Sequence, residues 1–265
     1  MADLAGEVNL QEQTQILPIS VCILCKNEED RLANCLSSIQ YFGETIVLDT
    51  GSTDQSVALA KECGANVFED EWKGFTESRK TLFSLANHPW ILWIDADEVM
   101  TNEFITELFN LFKTPPKYTS YQVNRIVQFQ NQWIKHGVWF PDYNIRLFKS
   151  DSWTMEDKLV HESIIVRGES GRLNSLIEHH TYRDWADQKQ RSEKYSSLWA
   201  LQKAQDNKQC NCLSQWTHSA FAFIRCYLLK KGFLDGILGF KIATAISQEV
   251  FLKYKKLYHL LNQHE

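Results

Sequence analysis

Apolar residues along the first half of the chain alternate between two spacings. Ile19-Ser20-Val21-Cys22-Ile23-Leu24 is a nearly continuous apolar run, the mark of a strand covered on both faces. Leu32, Cys35, Leu36 and Ile39 then recur at helical spacing. Thr45-Ile46-Val47-Leu48 reads as a second strand ending at Asp49. Ser52 and Gln55 read as a capping box for a helix through Ala60 that Gly64 closes. Residues 65–68 give a short third strand and 75–86 a helix ending before Pro89. Trp90-Ile91-Leu92-Trp93-Ile94 is the next buried strand, and it delivers Asp95 at its carboxyl end. Phe104, Ile105, Leu108, Phe109 and Phe112 mark a further helix, stopped by Pro115-Pro116.

Strands alternating with helices predict a mostly parallel, Rossmann-like α/β sheet, in which ligands bind beyond the carboxyl ends of the strands. The polar clusters fall at those ends: Lys26-Asn27-Glu28, Asp49-Thr50-Gly51-Ser52 and Asp95-Ala96-Asp97-Glu98. Beyond Pro116 the pattern changes. Residues 118–133 are rich in β-formers, 139–148 read as an aromatic loop and strand, and from Tyr182 onward the chain reads as mostly helix. The predicted organisation is a polar extension over 1–17, an α/β domain over 18–181 and a helical region over 182–265.

A chain of 265 residues with 44% hydrophobic composition can bury a large core. A net charge of -5 argues against a general nucleic-acid binder. The charge is uneven, however. From Gln215 onward seven Lys/Arg face three Asp/Glu, leaving the rest of the chain acidic. A basic, apolar tail on an acidic body points to an anionic surface as neighbour. The opening residues lack the basic and apolar pattern of a secretory signal, and no run is long enough to span a membrane. Cys22 and Cys25 form a C-x-x-C pair, but on a strand they face opposite sides, so free thiols in a reducing cytosol are expected.

Among the polar clusters, Asp95-Ala96-Asp97 carries the strongest chemistry. Two carboxylates at i and i+2 after a buried strand reach one crevice, where a hard divalent cation (Mg2+ or Mn2+) could neutralise a pyrophosphate. The bland alternative is a solvated turn ahead of the Thr101 helix. Asp49 could accept a base N–H and Glu28 could take ribose hydroxyls, although helix-capping chemistry would serve for both. Neither G-x-G-x-x-G nor G-K-[ST] is present, which argues against a dinucleotide binder or a P-loop NTPase. A nucleotide held by carboxylates and metal suits a sugar nucleotide better than ATP.

Residues 19–99 resemble a glycosyltransferase family 2 catalytic domain of the GT-A fold. The resemblance rests on Lys26-Asn27-Glu28-Glu29, on Val47-Leu48-Asp49-Thr50-Gly51-Ser52-Thr53-Asp54 and on Trp93-Ile94-Asp95-Ala96-Asp97-Glu98. Phe140-Pro141-Asp142-Tyr143-Asn144-Ile145-Arg146-Leu147-Phe148, Leu159-Val160-His161-Glu162, His179-His180-Thr181-Tyr182-Arg183 and Lys231-Gly232-Phe233-Leu234-Asp235-Gly236 are similar to a narrower group, the lipopolysaccharide core β-1,4-glucosyltransferases of the WaaE and LgtF type.

That resemblance implies inverting transfer of one sugar, glucose, from a UDP-sugar to a lipid-linked acceptor, a heptose of the lipopolysaccharide inner core. Donor contacts fall to Asn27, Glu28, Asp49, Arg79, Asp95 and Ala96, and metal ligation to Asp97 and His179, with His180 beside it as an alternative. Trp139, Asp142 and Arg146 are placed against the acceptor. The general base is Glu162, with Asp157 as its alternative. The Gln-x-x-Arg-Trp sequence of processive relatives is absent, which favours one sugar per acceptor.

The basic and apolar residues from Phe221 to Leu260, with Lys253, Lys255 and Lys256, read either as an interfacial surface on an anionic leaflet or as a helical subdomain packed on the sheet with solvated lysines, and the lipid acceptor that the resemblance implies favours the first. A peripheral position on the cytoplasmic face of the inner membrane is expected from this. Competing readings are a transferase acting on another surface glycan, a nucleotidyltransferase and a non-catalytic sugar-nucleotide binder. The Lys-Asn-Glu-Glu loop after the first strand argues against the nucleotidyltransferase, because such enzymes place a Gly-rich basic loop there.

Overall fold

The computed structural model describes residues 16–156 and 164–262. The chain divides into two compact units. The first runs to Arg125 and takes in 143–156 and 164–179; the second comprises 126–142 and the chain from His180 onward.

In the first unit β1 (Leu17–Cys25) lies between β2 (Phe42–Asp49) and β4 (Trp90–Asp95), parallel to both. The strand β3 (Asn66–Glu69) extends the parallel block beyond β2. On the other side of β4 follow β8 (Asp142–Lys149), β6 (Ser120–Phe129), β11 (Ser170–His179) and β5 (Glu98–Met100). The β4–β8 and β11–β5 pairs are antiparallel. A short antiparallel pair, β9 (Trp153–Met155) with β10 (Ile164–Val166), lies apart from this sheet.

Both faces of the parallel block are covered, which is why its strands are almost wholly apolar. Ile19, Val21, Ile23 and Cys25 of β1 pack with Trp90, Leu92 and Ile94 of β4 on one face. There they meet α1 (Leu32–Ser37) and the Phe104, Ile105, Leu108 and Phe109 stripe of α4 (Asn102–Leu111). Cys22, Ile91 and Trp93 take the other face, against Leu82 and Phe83 of α3 (Phe75–Ser84). Cys22 and Cys25 therefore lie on opposite faces, both free, as the strand period requires. Thr101 caps α4, its side chain accepting the Phe104 N–H at 3.1 Å.

The expected capping box at Ser52 does not form. The helix α2 (Ser56–Glu62) begins four residues later with no side-chain cap at Gln55, because the Ser52 hydroxyl is taken by Asp49 and the Asn27 N–H. Gly64 does end this turn, at a φ of 81°.

The second unit is built on Phe129 at the end of β6. Its ring meets Trp139, Tyr182 and Trp185 edge-on, at centroid distances of 5.9, 5.9 and 4.8 Å. Val127 and Ile134, the latter from β7 (Gln132–Ile134), join Cys226, Leu238 and Ile242 in the same core. Three helices complete this unit: α5 (Trp185–Gln205), α6 (Ser214–Ile224) and α7 (Gly236–Asn262). A π-helical turn, Arg225–Leu229, and a 3-10 turn, Gly232–Asp235, join α6 to α7.

Two of the basic residues expected to meet an anionic surface are instead internal ties. Lys256 reaches α5, donating to the Glu193 carboxylate at 2.6 Å and to the Ser196 hydroxyl at 2.8 Å. Lys253 pairs with Glu249 at 2.7 Å.

The 3-10 turn is seated on α7 by glycine. A Cβ on Gly239 would fall 1.9 Å from the Gly232 carbonyl oxygen, a backbone atom with little freedom to withdraw. Replacing a mid-helix glycine by alanine ordinarily stabilises a helix by roughly 0.5–1 kcal/mol. Here Gly239→Ala is expected to destabilise the protein by about 1–3 kcal/mol, the cost of overpacking. Urea unfolding of the two proteins measures it, and a stabilised variant would show that the turn does not sit against α7.

Candidate active site

The loops that follow β1 and β2 are tied into one ledge. The Asn27 N–H donates to the Ser52 hydroxyl at 2.8 Å, and the Thr53 N–H donates to the Asn27 side-chain carbonyl at 2.8 Å. The Glu28 N–H reaches the Ser56 hydroxyl at 2.8 Å, and the Gln55 N–H reaches the Glu29 carboxylate at 2.8 Å. Asn27 adopts a φ of 56°, a left-handed conformation that asparagine tolerates. Buried Asp49 accepts the Gly51 and Ser52 N–H groups at 2.9 and 2.8 Å through one oxygen, and the Ser52 hydroxyl through the other. Its carboxylate therefore shapes the turn, leaving only its remaining lone pairs to face a ligand.

At the end of β4 the chain turns through Asp95, buried Ala96, Asp97 and Glu98. Glu98 is wholly buried, and its carboxylate accepts the Asp95 N–H at 2.9 Å. The other Glu98 oxygen receives Arg125 at 2.8 Å and Arg146 at 2.6 Å. Both guanidinium groups also reach Asp95 Oδ2, at 3.4 and 2.7 Å. Arg146, 2% exposed, lies over the Trp93 ring at 4.4 Å, and Arg79 lies over the same ring at 4.5 Å. Arg31 joins the remaining acids, pairing with Glu28 through Nε at 2.8 Å and with Asp97 Oδ2 at 3.3 Å.

The β11–β5 register sets His179 opposite Glu98, which carries the imidazole to the motif. His179 Nε2 lies 3.5 Å from Asp97 Oδ1. One ligand atom each from Asp95, Asp97 and His179 falls within 4.8 Å of the others. Two carboxylates and an imidazole are donors that suit Mn2+ or Mg2+. Both guanidinium contacts to Asp95, and the Arg31 contact to Asp97, use Oδ2, while Asp97 Oδ1 faces the imidazole. The buried Nδ1 of His179 has no hydrogen-bond partner among the described residues.

Burial opposes ionisation of Asp95, but the charges of Arg146, Arg79 and Arg125 outweigh it and hold the carboxyl well below its usual range. Burial likewise works against Asp97. The His179 contact and the Arg31 charge overcome it, so this carboxyl is also held low. Both acids are thus anionic and ready for a cation at neutral pH. Beneath them Cys35 points its thiol at the Asp95 carbonyl at 3.7 Å, and burial followed by the Glu98 charge pushes that thiol well up. It is a neutral packing group.

The sequence-predicted residues thus divide. Asp95, Ala96, Asp97, His179, Glu28 and Arg79 gather around the β4 end in the first unit. Asn27 and Asp49 build the adjoining loops. Arg146, expected against the acceptor, is buried in the ion-pair array with Asp95 and Glu98. Trp139 and Asp142 belong to the second unit, where Trp139 packs 5.1 Å from the Tyr182 ring. His180, the alternative to His179, lies in that unit too, against Trp133. Glu162 and Asp157 lie outside the described residues.

Three members of the site escape a reading by motif alone: Glu98, Arg31 and Arg125. Glu98 could be noticed only as the residue that follows the two aspartates. No local pattern links Arg125 to Asp95, 30 residues away.

Removing one partner from a buried ion-pair array leaves an uncompensated charge. Arg146→Met should therefore destabilise the protein by about 3–5 kcal/mol, whereas exposed Lys73, paired with Asp70, should tolerate the same change within about 0.5 kcal/mol. Urea denaturation of both variants distinguishes them. Equal small losses would show that the array is not a unit.

With this geometry in view, the kinship of the chain can be read. Residues 20–168 match the model of the family described as glycosyl transferase family 2. An uncharacterized glycosyltransferase of Rickettsia typhi is 26% identical over 256 residues, covering 91% of this chain and 87% of the relative. The lipopolysaccharide core biosynthesis glycosyltransferase LpsC of Rhizobium meliloti is 27% identical over 255 residues, covering 91% and 92%. Glucosyl-3-phosphoglycerate synthase of Mycobacterium tuberculosis, solved with Mn2+, UDP-glucose and phosphoglyceric acid, aligns at 22% identity and a TM-score of 0.36. That alignment covers 44% of this chain and less than half, 45%, of the other. The α/β architecture is the GT-A fold, and the chain belongs to glycosyl transferase family 2.

Proposed function

We propose that the protein transfers one glucose, with inversion, from UDP-glucose to a heptose of the lipid-linked inner core of lipopolysaccharide. The observation that carries this reading is the convergence of Asp95, Asp97 and His179 within 4.8 Å beyond the carboxyl end of β4. The likeness to LpsC over 91% of the chain supports the class of acceptor. The residue motifs shared with the WaaE and LgtF type support glucose as the sugar.

Asp97 and His179 would hold a divalent cation, Mg2+ or Mn2+, with Asp95 alongside. When bound, such a cation supplies positive charge to the departing diphosphate. The chain's own residues do the remaining work. The ledge of Asn27, Glu28 and Asp49 receives the nucleoside, with its polar groups fixed in place by the loop-to-loop hydrogen bonds. Arg79, which lies over the Trp93 ring and whose charge is felt at Asp95, offers a cation to the donor. Glu162 takes the proton from the acceptor hydroxyl as the new bond forms on the face opposite the leaving diphosphate, and Asp157 is its alternative.

UDP release, measured with purified acceptor lipid and without it, tests this reading. Asp97→Ala should abolish transfer, and chelation should do the same to the wild type until metal is restored. Transfer by chelated, metal-free protein would sink the metal assignment. Glu162→Gln should keep donor affinity while turnover falls roughly 10²–10⁴-fold, the contribution of a positioned base, and Asp157→Asn should be the milder change. The reverse order of severity would move the role to Asp157.

A further inference from the structure

The connection from α6 to α7 has its polarity inverted. In the 3-10 turn Gly232 and the charged Asp235 are buried, while Phe233 and Leu234 are 45% and 55% exposed. The π-helical turn before it exposes Leu228 and Leu229, and the first turn of α7 exposes Ile237, at 78%, and Phe240. These exposed side chains belong to one surface. Tyr227 joins Phe233 and Phe240 at ring distances of 6.2 and 5.6 Å, and the Lys231 N–H donates to the Leu228 carbonyl at 3.1 Å.

This is not a loose loop. The Asp235 carboxylate accepts the His136 and Lys135 N–H groups at 2.9 and 3.3 Å and faces His136 Nδ1 at 2.9 Å. The Gly137 N–H donates to the Lys230 carbonyl at 2.8 Å. Gly232 lies against the Cys226 carbonyl, where a Cβ would come within 2.7 Å. Lys231 holds a left-handed φ of 57° and Gly236 a φ of 65°. The polar and glycine positions anchor the turn from within, and their placement drives its apolar side chains outward.

Exposed Arg225, Lys230, Lys231 and Lys241 lie along the same segment, and among the described residues their side chains form no ion pair. The nearest acid of the turn, Asp235, is committed to His136. A contiguous apolar patch rimmed by unpaired cations is complementary to a surface that is anionic outside and apolar within. No helix among the described residues is long and apolar enough to cross a membrane, so such a surface would be met from one side.

We infer that the rigid α6–α7 connection is a membrane-docking surface, inserting Leu229, Leu234 and Ile237 among the lipids of an anionic leaflet while Arg225, Lys230, Lys231 and Lys241 contact its headgroups. This relocates the interfacial contact from Lys253 and Lys256, which tie the second unit together. The inference goes beyond the proposed transfer and does not depend on it.

Vesicle flotation without donor or acceptor tests the inference, so failure here leaves the transferase reading untouched. The full chain should float with phosphatidylglycerol–phosphatidylethanolamine vesicles, less so as salt rises, and poorly with phosphatidylcholine alone. Leu234→Ser with Ile237→Ser should cut binding at least tenfold, with an unchanged thermal melt because both side chains are already in solvent. Lys230→Gln and Lys241→Gln should each weaken binding about fivefold and flatten the salt dependence. Lys255→Gln, outside the patch, should change neither. Equal flotation with phosphatidylcholine would overturn the anionic assignment. Undiminished flotation of the Leu234→Ser, Ile237→Ser protein would overturn the docking surface. So would a wild type that ignores vesicles and forms a dimer that these substitutions dissociate, since the patch would then join two copies of the chain.

Discussion

The first unit is organised around the cost of burying charge. Asp95, Asp97 and Glu98 leave a buried strand together; Asp97 and Glu98 are buried, while the Asp95 side chain stays 32% exposed. Isolated carboxylates there would protonate or unfold the region. Arg31, Arg125 and Arg146 arrive from three other segments of the chain to pair with them. The pairing reaches across the sheet, since Arg125 lies on β6 and Arg146 on β8, strands beyond the parallel block. Strand order therefore has an electrostatic reason as well as an apolar one. A sheet without β8 beside β4 and β6 beyond it would lack two of the guanidinium groups that hold Asp95 ionised.

The same sheet positions the imidazole. Strand β11 carries few apolar residues, with only Leu173 and Ile177 of its ten fully buried. It is held largely by polar means. The Glu107 carboxylate on α4 accepts the Asn174 N–H at 2.9 Å and the Ser175 N–H at 2.8 Å, and the register with β5 sets His179 beside the aspartates. A slip of one residue would turn His179 to the opposite face, so a strand of slight core value fixes a ligand of the site.

This explains which features could be read from the sequence. The strands and helices of the parallel block are legible because burial on both faces writes them as apolar runs, and Asp49 and Asp95 are legible as the polar residues that end them. Strand β11 is not legible, since its ladder uses backbone groups and its side chains are mostly polar. Ser52 misleads because the short spacing to Gln55 imitates a cap, while a residue distant in sequence, Asn27, competes for its hydroxyl. For Arg146 the sequence offers a place against an acceptor, and only the folded sheet shows that it pairs with two acids, Asp95 and Glu98. The tail charge is legible as a sum, but a sum does not reveal that Lys253 and Lys256 are paired while Lys230 and Lys241 form no ion pair among the described residues.

The array also bears on how the two aspartates would share the work of holding a cation. Asp95 faces two guanidinium groups directly and the field of a third, from Arg79. A cation approaching it meets a carboxylate whose charge is already compensated. Among the described residues Asp97 meets the Arg31 guanidinium, which is shared with Glu28. Its second oxygen faces the His179 imidazole, a group that can itself be a metal ligand. On this arrangement a cation would be drawn more strongly to Asp97, the ligand proposed above, than to Asp95. Asp95 is better suited to hold Arg125 and Arg146, the latter lying over the Trp93 ring. The division of roles follows from which carboxylate the arginines claim, and the two letters of the motif alone would not reveal it.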